Sequence, residues 1–179
     1  MDQSQAEVII KINESIEQAK DDKEKALLYK KLGEFYLSKE DYKKAAEAFI
    51  SALSQSKAFS EEEKIQMAIY ISWGEKLAEA IHILEELLLH NPDNTNARIN
   101  LSRILSWSDE LDRALKEVEV ILAKNPKNRD ALLVKANVLN WQGSHEKAIQ
   151  IYEGLLMEKE EFDVRLPYTY ALIGIGDRK

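Results

Sequence analysis

The side chains that could take part in acid–base, nucleophilic or metal chemistry are few and scattered along this sequence. It contains three histidines, His82, His90 and His145, and no cysteine. His145 stands in "HEKA" and lacks the second histidine of a zinc-binding helix motif. Neighbouring carboxylates such as Glu85 and Glu86 are common on solvated helical faces. We therefore expect each histidine to be a solvated surface residue and the protein to be non-catalytic, with no catalytic residue, no metal site and no cofactor.

Tryptophan brings a different chemistry, that of recognition. The three tryptophans, Trp73, Trp107 and Trp141, stand in "YISWGE", "ILSWSD" and "VLNWQG", and each is 34 residues from the next. An indole combines a large apolar surface with one N–H donor, which suits both packing and contact with a ligand. A fixed period of this length indicates a structural repeat.

The elements that must position these tryptophans follow the same period. Ala80, Ala114 and Ala148 are 34 residues apart, and so are Pro92 and Pro126 in "HNPDN" and "KNPKN". Good helix formers dominate the composition, with only 6 glycines and 3 prolines. Each unit is therefore predicted to be a first helix, a short turn and a second helix, usually followed by an Asn-Pro turn. The predicted fold class is all-α.

The unit at the front of the chain carries a family pattern. The stretch "LYKKLGEFYLSKEDYKKAAEAFISAL" resembles the tetratricopeptide repeat, in which a large residue, Leu, Gly and Tyr precede Ala, Phe and Ala. The matching residues are Tyr29, Leu32, Gly33, Tyr36, Ala45, Phe49 and Ala52. The resemblance covers residues 24–158 and implies a right-handed superhelix of antiparallel helix pairs, an α–α solenoid. The sequence departs from the pattern at Lys57 and Glu160, where a closing proline is expected.

The period also predicts the domain organisation. Residues 1–22 form an extra N-terminal helix, and residues 23–158 form four repeats at about 23–57, 60–92, 94–126 and 128–158. Ser60 and Glu63 are predicted to form a capping box at the start of the second repeat. Residues 160–179 form a lone helix, which is either the first helix of a fifth repeat that continues in a longer protein or a capping helix. In a complete fifth repeat the second helix would begin at about residue 178.

A helical wheel places the tryptophans on the face of the first helix that points away from its partner helix. In tetratricopeptide proteins this face lines a concave groove, so the resemblance implies that partners bind there. The predicted groove residues are Ile65, Ile69, Trp73, Ile99, Arg103, Trp107, Leu133, Asn137, Asn140 and Trp141. Two interpretations of the tryptophans remain, since an indole can contact a ligand or pack on the first helix of the neighbouring repeat and hold successive repeats together.

The resemblance predicts a scaffold that binds a protein or peptide ligand in its groove. The motifs "ARILSW" and "ANVLNWQG" also resemble repeats of bacterial outer-membrane and exopolysaccharide-export proteins. This makes a periplasmic scaffold that contacts glycan the alternative. A third hypothesis is a module that forms homo-oligomers through its apolar terminal helices.

Other partner classes fit the sequence poorly. The net charge of −7 argues against nucleic acid and anionic membranes. The apolar runs are too short and too charged to insert into a membrane, so we expect a soluble chain, cytoplasmic or, as part of a longer exported protein, periplasmic. Some tetratricopeptide proteins hold acidic chaperone tails with a set of Lys, Arg and Asn side chains. Glu34 and Asp130 stand in positions of that set, so we expect no tight binding of acidic chaperone tails.

Overall fold

The computed structural model describes residues 3–159 and 161–176. All regular elements in these residues are α-helices, so the predicted all-α class is confirmed. The chain divides into two compact units, one that reaches Leu89 and one that begins at His90. The helices of the first unit are α1 (Gln3–Glu17), α2 (Asp22–Leu37), α3 (Tyr42–Gln55), α4 (Glu61–Trp73) and α5 (Leu77–His90). Those of the second are α6 (Thr95–Trp107), α7 (Leu111–Lys124), α8 (Arg129–Trp141), α9 (His145–Glu158) and α10 (Phe162–Gly176).

Consecutive helices pack as pairs within each unit. In the first unit, α2 packs on α1 and α3, and α3 also packs on α4. In the second unit, α6 packs on α7, α8 packs on α7 and α9, and α9 packs on α10. The helices α8 and α10 also contact each other. In α8 and α9, Asn137 faces Tyr152 and Asn140 faces His145, a pairing that only antiparallel helices give.

Small residues allow the paired helices to approach closely. Ala45, Ala80, Ala114 and Ala148 are all fully buried. In the first helix of the first repeat, a Cβ on Gly33 would lie only 2.7 Å from the ring of Phe49. The period of alanines in the sequence is therefore the period of these helix contacts.

The repeated Asn-Pro turns both end one helix and start the next. In each turn the second asparagine is the N-cap, and the side chains of Asn94 and Asn128 accept the backbone N–H groups of Ala97 and Ala131. The predicted capping box of Ser60 and Glu63 is present at the start of α4. These side chains satisfy N–H groups that a helix start leaves without intrahelical partners.

The turn inside each repeat contains one residue in the left-handed region. These residues are Glu40, Glu75, Asp109 and Gly143, with φ between 57° and 76°. The residue after each donates its N–H to the carbonyl five positions earlier, for example Asp41 to Tyr36 and Ser144 to Leu139. This geometry is the Schellman helix end, which favours glycine. Only the fourth repeat has a glycine there.

The structure describes the C-terminal part of the chain up to residue 176, except for residue 160. The helix α10 spans Phe162–Gly176 and includes Pro167 in its second turn. Glu160 and the predicted start of a further helix at about residue 178 lie outside the described residues. None of the described helices is long and apolar enough to cross a membrane.

Candidate functional site

The three tryptophans occupy equivalent places in the structure. Trp73 is the last residue of α4, Trp107 of α6 and Trp141 of α8. Their exposed fractions are 49%, 48% and 52%. Each indole is therefore half buried, so that it can pack on a neighbour and still meet a ligand.

Trp73 is held by aromatic neighbours in the first unit. Its ring centroid lies 5.2 Å from that of Tyr70 on α4 and 5.9 Å from that of Tyr42 on α3. Both contacts are edge-to-face, the arrangement that the ring quadrupoles favour. Since Tyr42 belongs to the preceding repeat, Trp73 joins successive repeats, through the second helix α3 and not through a neighbouring first helix.

The other predicted groove residues differ in accessibility. Ile65 and Ile99 are only 1% and 7% exposed, so both side chains lie in the interior of their units. A helical wheel assumes that the first helix of a repeat packs only on its partner helix and leaves the opposite face exposed. In the structure α4 packs on α3, and α6 packs on α8 as well as on α7, so the opposite face is partly covered. Ile69 and Leu133 are partly buried. Arg103 is partly exposed and lies 3.9 Å from the carboxylate of Asp130 on α8.

Three of the predicted groove residues share one cleft in the second unit. It has a volume of about 650 Å³ and is lined by α8, α9 and α10. The α8 wall consists of Asn137, Asn140 and Trp141, whose spacing places them on one helical face. His145 and Tyr152 of α9 form the floor, and Asp163, Leu166, Pro167 and Tyr170 of α10 form the opposite wall.

Two hydrogen bonds fix the amides of the α8 wall. The hydroxyl of Tyr152 donates to Oδ1 of Asn137 at 2.7 Å, and Nδ1 of His145 lies 2.6 Å from Oδ1 of Asn140. Burial raises the pKa of Tyr152, so its hydroxyl is protonated and acts as the donor. Because Oδ1 of Asn140 can only accept, His145 carries its proton on Nδ1. Both amides therefore keep their N–H₂ groups for other acceptors.

The position of α10 depends on Arg129 at the start of α8. Its guanidinium donates to Glu161 at 3.1 Å and to the backbone carbonyls of Leu155 and Lys159 at 2.9 and 3.1 Å. Hydrogen bonds from Lys159 and Arg129 lower the pKa of Glu161. These bonds connect the end of α9 to the start of α10, and so they set where the α10 wall stands.

Sequence reasoning did not find the α9 and α10 residues of the cleft. The expectation that every histidine is a solvated surface residue is wrong for His145, which is partly buried, bonded to Asn140 and packed so closely that a Cβ on Gly174 would lie 2.7 Å from its Nε2. One signal was available, because Asp163, Leu166, Pro167 and Tyr170 recur at the spacing of a single helical face. Among the described residues, no group of three metal-binding side chains comes together.

Comparisons with known proteins identify the repeat. Residues 75–138 match the model of the tetratricopeptide repeat family, whereas no curated protein sequence matches the chain significantly. Among solved structures, YrrB, "a TPR protein with an unusual peptide-binding site", is similar with a TM-score of 0.60 and 22% identity, over 84% of this chain and 74% of that one.

Two further structures show the same fold. MamA is similar with a TM-score of 0.58 and 19% identity, over 82% of this chain and 96% of that one. The TPR2AB domain of yeast Sti1, in a complex with an HSP90 peptide, gives a TM-score of 0.51 and 16% identity, over 94% of this chain and 79% of that one. Residues 75–138 therefore match the tetratricopeptide repeat family, and the described helices have the fold of these solved structures.

Proposed function

We propose that this protein is a non-catalytic interaction scaffold that binds an extended segment of a partner protein in the cleft between α8, α9 and α10. The observation that carries the proposal is the convergence of Asn137, Asn140 and Trp141 on one cleft of about 650 Å³. A concave site with apolar walls and a few fixed polar groups is the usual form of a binding site.

The polar groups of the cleft suit a peptide backbone. The free N–H₂ groups of Asn137 and Asn140 are separated by about one helical turn and can donate to carbonyls on one side of an extended chain. Trp141 and Tyr170, which are 52% and 60% exposed, offer apolar area to its side chains. The peptide-binding site named for YrrB and the peptide complex of Sti1 support this ligand class.

A peptide array tests the proposal. The full chain is applied to immobilised peptides of varied sequence, and the affinity of each bound peptide is measured in solution by the fluorescence anisotropy of a labelled copy. Trp141→Ala should weaken binding about ten-fold or more, as loss of a central aromatic contact does. Trp107→Ala, which removes the equivalent indole outside the cleft, is the matched control. Equal binding by wild type and Trp141→Ala, or binding of glycans in place of peptides, would contradict the proposal.

Self-association through the terminal helices is a second candidate, favoured by apolar side chains that face solvent. On α1, Val8 and Ile10 are 38% and 54% exposed, and on α10, Phe162 and Ile173 are 78% and 52% exposed. Exposed apolar area of this kind marks interaction surfaces. Mass measured by light scattering should rise with concentration, and Ile10→Lys or Ile173→Lys should prevent the rise. A constant monomer mass over the whole concentration range would exclude this candidate.

A further inference from the structure

The lining of the cleft between α8, α9 and α10 carries negative charge and no balancing lysine or arginine. This charge is the carboxylate of Asp163. Asp163 is exposed, and none of the ion pairs found among the described residues involves it. A ligand that brought a positive charge to this carboxylate would therefore gain attraction without displacing an internal partner.

Aromatic side chains stand on both walls beside this carboxylate. Trp141 belongs to the α8 wall and Tyr170 to the α10 wall, and about half of each side chain is exposed. The faces of such rings attract a guanidinium or ammonium group through their quadrupoles, tryptophan most strongly. Arginine suits this setting best, because its planar group can stack on an indole and also bind a carboxylate with two N–H groups.

Pro167 leaves one backbone carbonyl of α10 without its usual intrahelical donor. A proline has no N–H, so Pro167 cannot donate to the carbonyl of Asp163 four residues earlier. On the opposite wall, Asn137 and Asn140 present N–H donors, because their carbonyl oxygens already accept from Tyr152 and His145.

We propose that the cleft recognises a basic peptide segment, in which one arginine or lysine side chain lies between Trp141 and Tyr170 with its charge at Asp163. The amides of Asn137 and Asn140 then donate to the carbonyls of the peptide backbone. The net charge of −7 on the chain assists encounter with such segments. This inference rests on the proposed peptide-binding function and names the class of peptide.

The test uses fluorescein-labelled, alanine-rich peptides that differ only in their central residue. The wild-type chain is titrated with peptides that contain arginine, its neutral isostere citrulline, or glutamate. Replacement of arginine by citrulline should weaken binding about ten-fold, the range expected for a partly desolvated cation between aromatic rings and a carboxylate. The glutamate peptide should bind more weakly still, and the arginine peptide should lose affinity as salt is added.

A double-mutant cycle assigns the effect to Asp163. Asp163→Asn should weaken the arginine peptide about as much as citrulline does and leave the citrulline peptide unchanged, because both changes remove the same interaction. Glu146→Gln, a charge loss at an exposed residue of α9 outside the cleft lining, is the matched control. Circular dichroism checks that each variant keeps its helices.

The outcomes separate this inference from the proposed function. If arginine and citrulline peptides bind equally, with both lost in Trp141→Ala, the cleft binds peptides but the basic class is wrong. If Asp163→Asn and Glu146→Gln weaken the arginine peptide equally, the attraction is general to the acidic chain and the assignment to this cleft is wrong. If no peptide from the array or this series binds in a way that depends on Trp141, both proposals fail.

Discussion

Trp73 and Trp141 hold the same place in their repeats and have different surroundings. Each ends the first helix of a repeat and each is about half exposed. Trp73 packs against Tyr42 and Tyr70, whereas Trp141 lines a cleft that extends to α10. The repeat therefore fixes where an indole stands, and the residues around it decide whether the indole joins repeats or faces open space.

The largest expected effect comes from truncation of Trp73, whose indole packs on Tyr42 and Tyr70. Trp73→Ala should lower the free energy of unfolding by about 2 kcal/mol, roughly half the cost of truncating a fully buried tryptophan, because the indole is half exposed. Trp141→Ala should cost about 1 kcal/mol less, since Trp141 is equally exposed and takes part in none of the ring contacts found among the described residues. Urea unfolding followed by circular dichroism measures both. Equal losses in the two variants would show that the aromatic contacts of Trp73 add no stability.

A second comparison uses two glycines. A Cβ on Gly74, next to Trp73, would overlap Cβ of Ala46 and lie 2.5 Å from the carbonyl oxygen of Tyr42. Because the backbone oxygen cannot move aside like a flexible side chain, Gly74→Ala should destabilise the first unit by about 2 kcal/mol.

Gly154 on α9 is the matched control, since a Cβ there meets nothing within 4 Å. Gly154→Ala should stabilise the helix by about 1 kcal/mol, the usual advantage of alanine over glycine. Hydrogen exchange of the α3 and α4 amides should increase in Gly74→Ala alone. Unchanged exchange there would mean that the turn shifts at little cost.

Acid should weaken the first unit through Glu63. A hydrogen bond from Lys30, 2.7 Å away, and bonds from Ser60 lower the pKa of Glu63 to about 2. Its folded-state pKa lies below the unfolded value of 4.5, so its stabilisation is fully present above that value and disappears as the pH falls towards 2. The carboxylate is partly exposed, so this contribution should be at most about 1 kcal/mol.

Glu63→Gln checks this pH dependence. The stability difference between wild type and variant should be constant above about pH 5 and shrink as the solution becomes more acidic. Unfolding curves recorded at a series of pH values between about 5 and 2 measure this difference in the free energy of unfolding. A difference that stays constant down to the most acidic condition would show that Lys30 and Ser60 do not bind the charged form of Glu63 preferentially.

The sequence predicted the features that repeat, and it missed those that depend on one particular neighbour. The period of Ala80, Ala114 and Ala148 revealed the helix pairs because close approach requires small side chains in every repeat. The burial of Ile65 and Ile99 was missed because a wheel of one helix does not contain the helices on its other sides. The cleft was missed because the period shows which helices are equivalent and does not show which side chains of the last helix face α8.

The smallest expected effect concerns the turns that precede the repeated alanines. Glu40 has a φ of 57°, and Gly143 takes the equivalent place in the fourth repeat with a φ of 76°. A residue with a side chain in this region costs about 1 kcal/mol or more of folding free energy. Glycine avoids this cost, but its greater freedom in the unfolded chain offsets part of the gain. Glu40→Gly should therefore stabilise the protein by about 0.5 kcal/mol.

Gly143→Ala should destabilise the protein by about 1 kcal/mol, since an alanine there would need a conformation that alanine disfavours. Thermal unfolding of the two variants beside wild type gives both signs. Stabilisation by both, or by neither, would mean that these turns relax to another conformation when their residue changes.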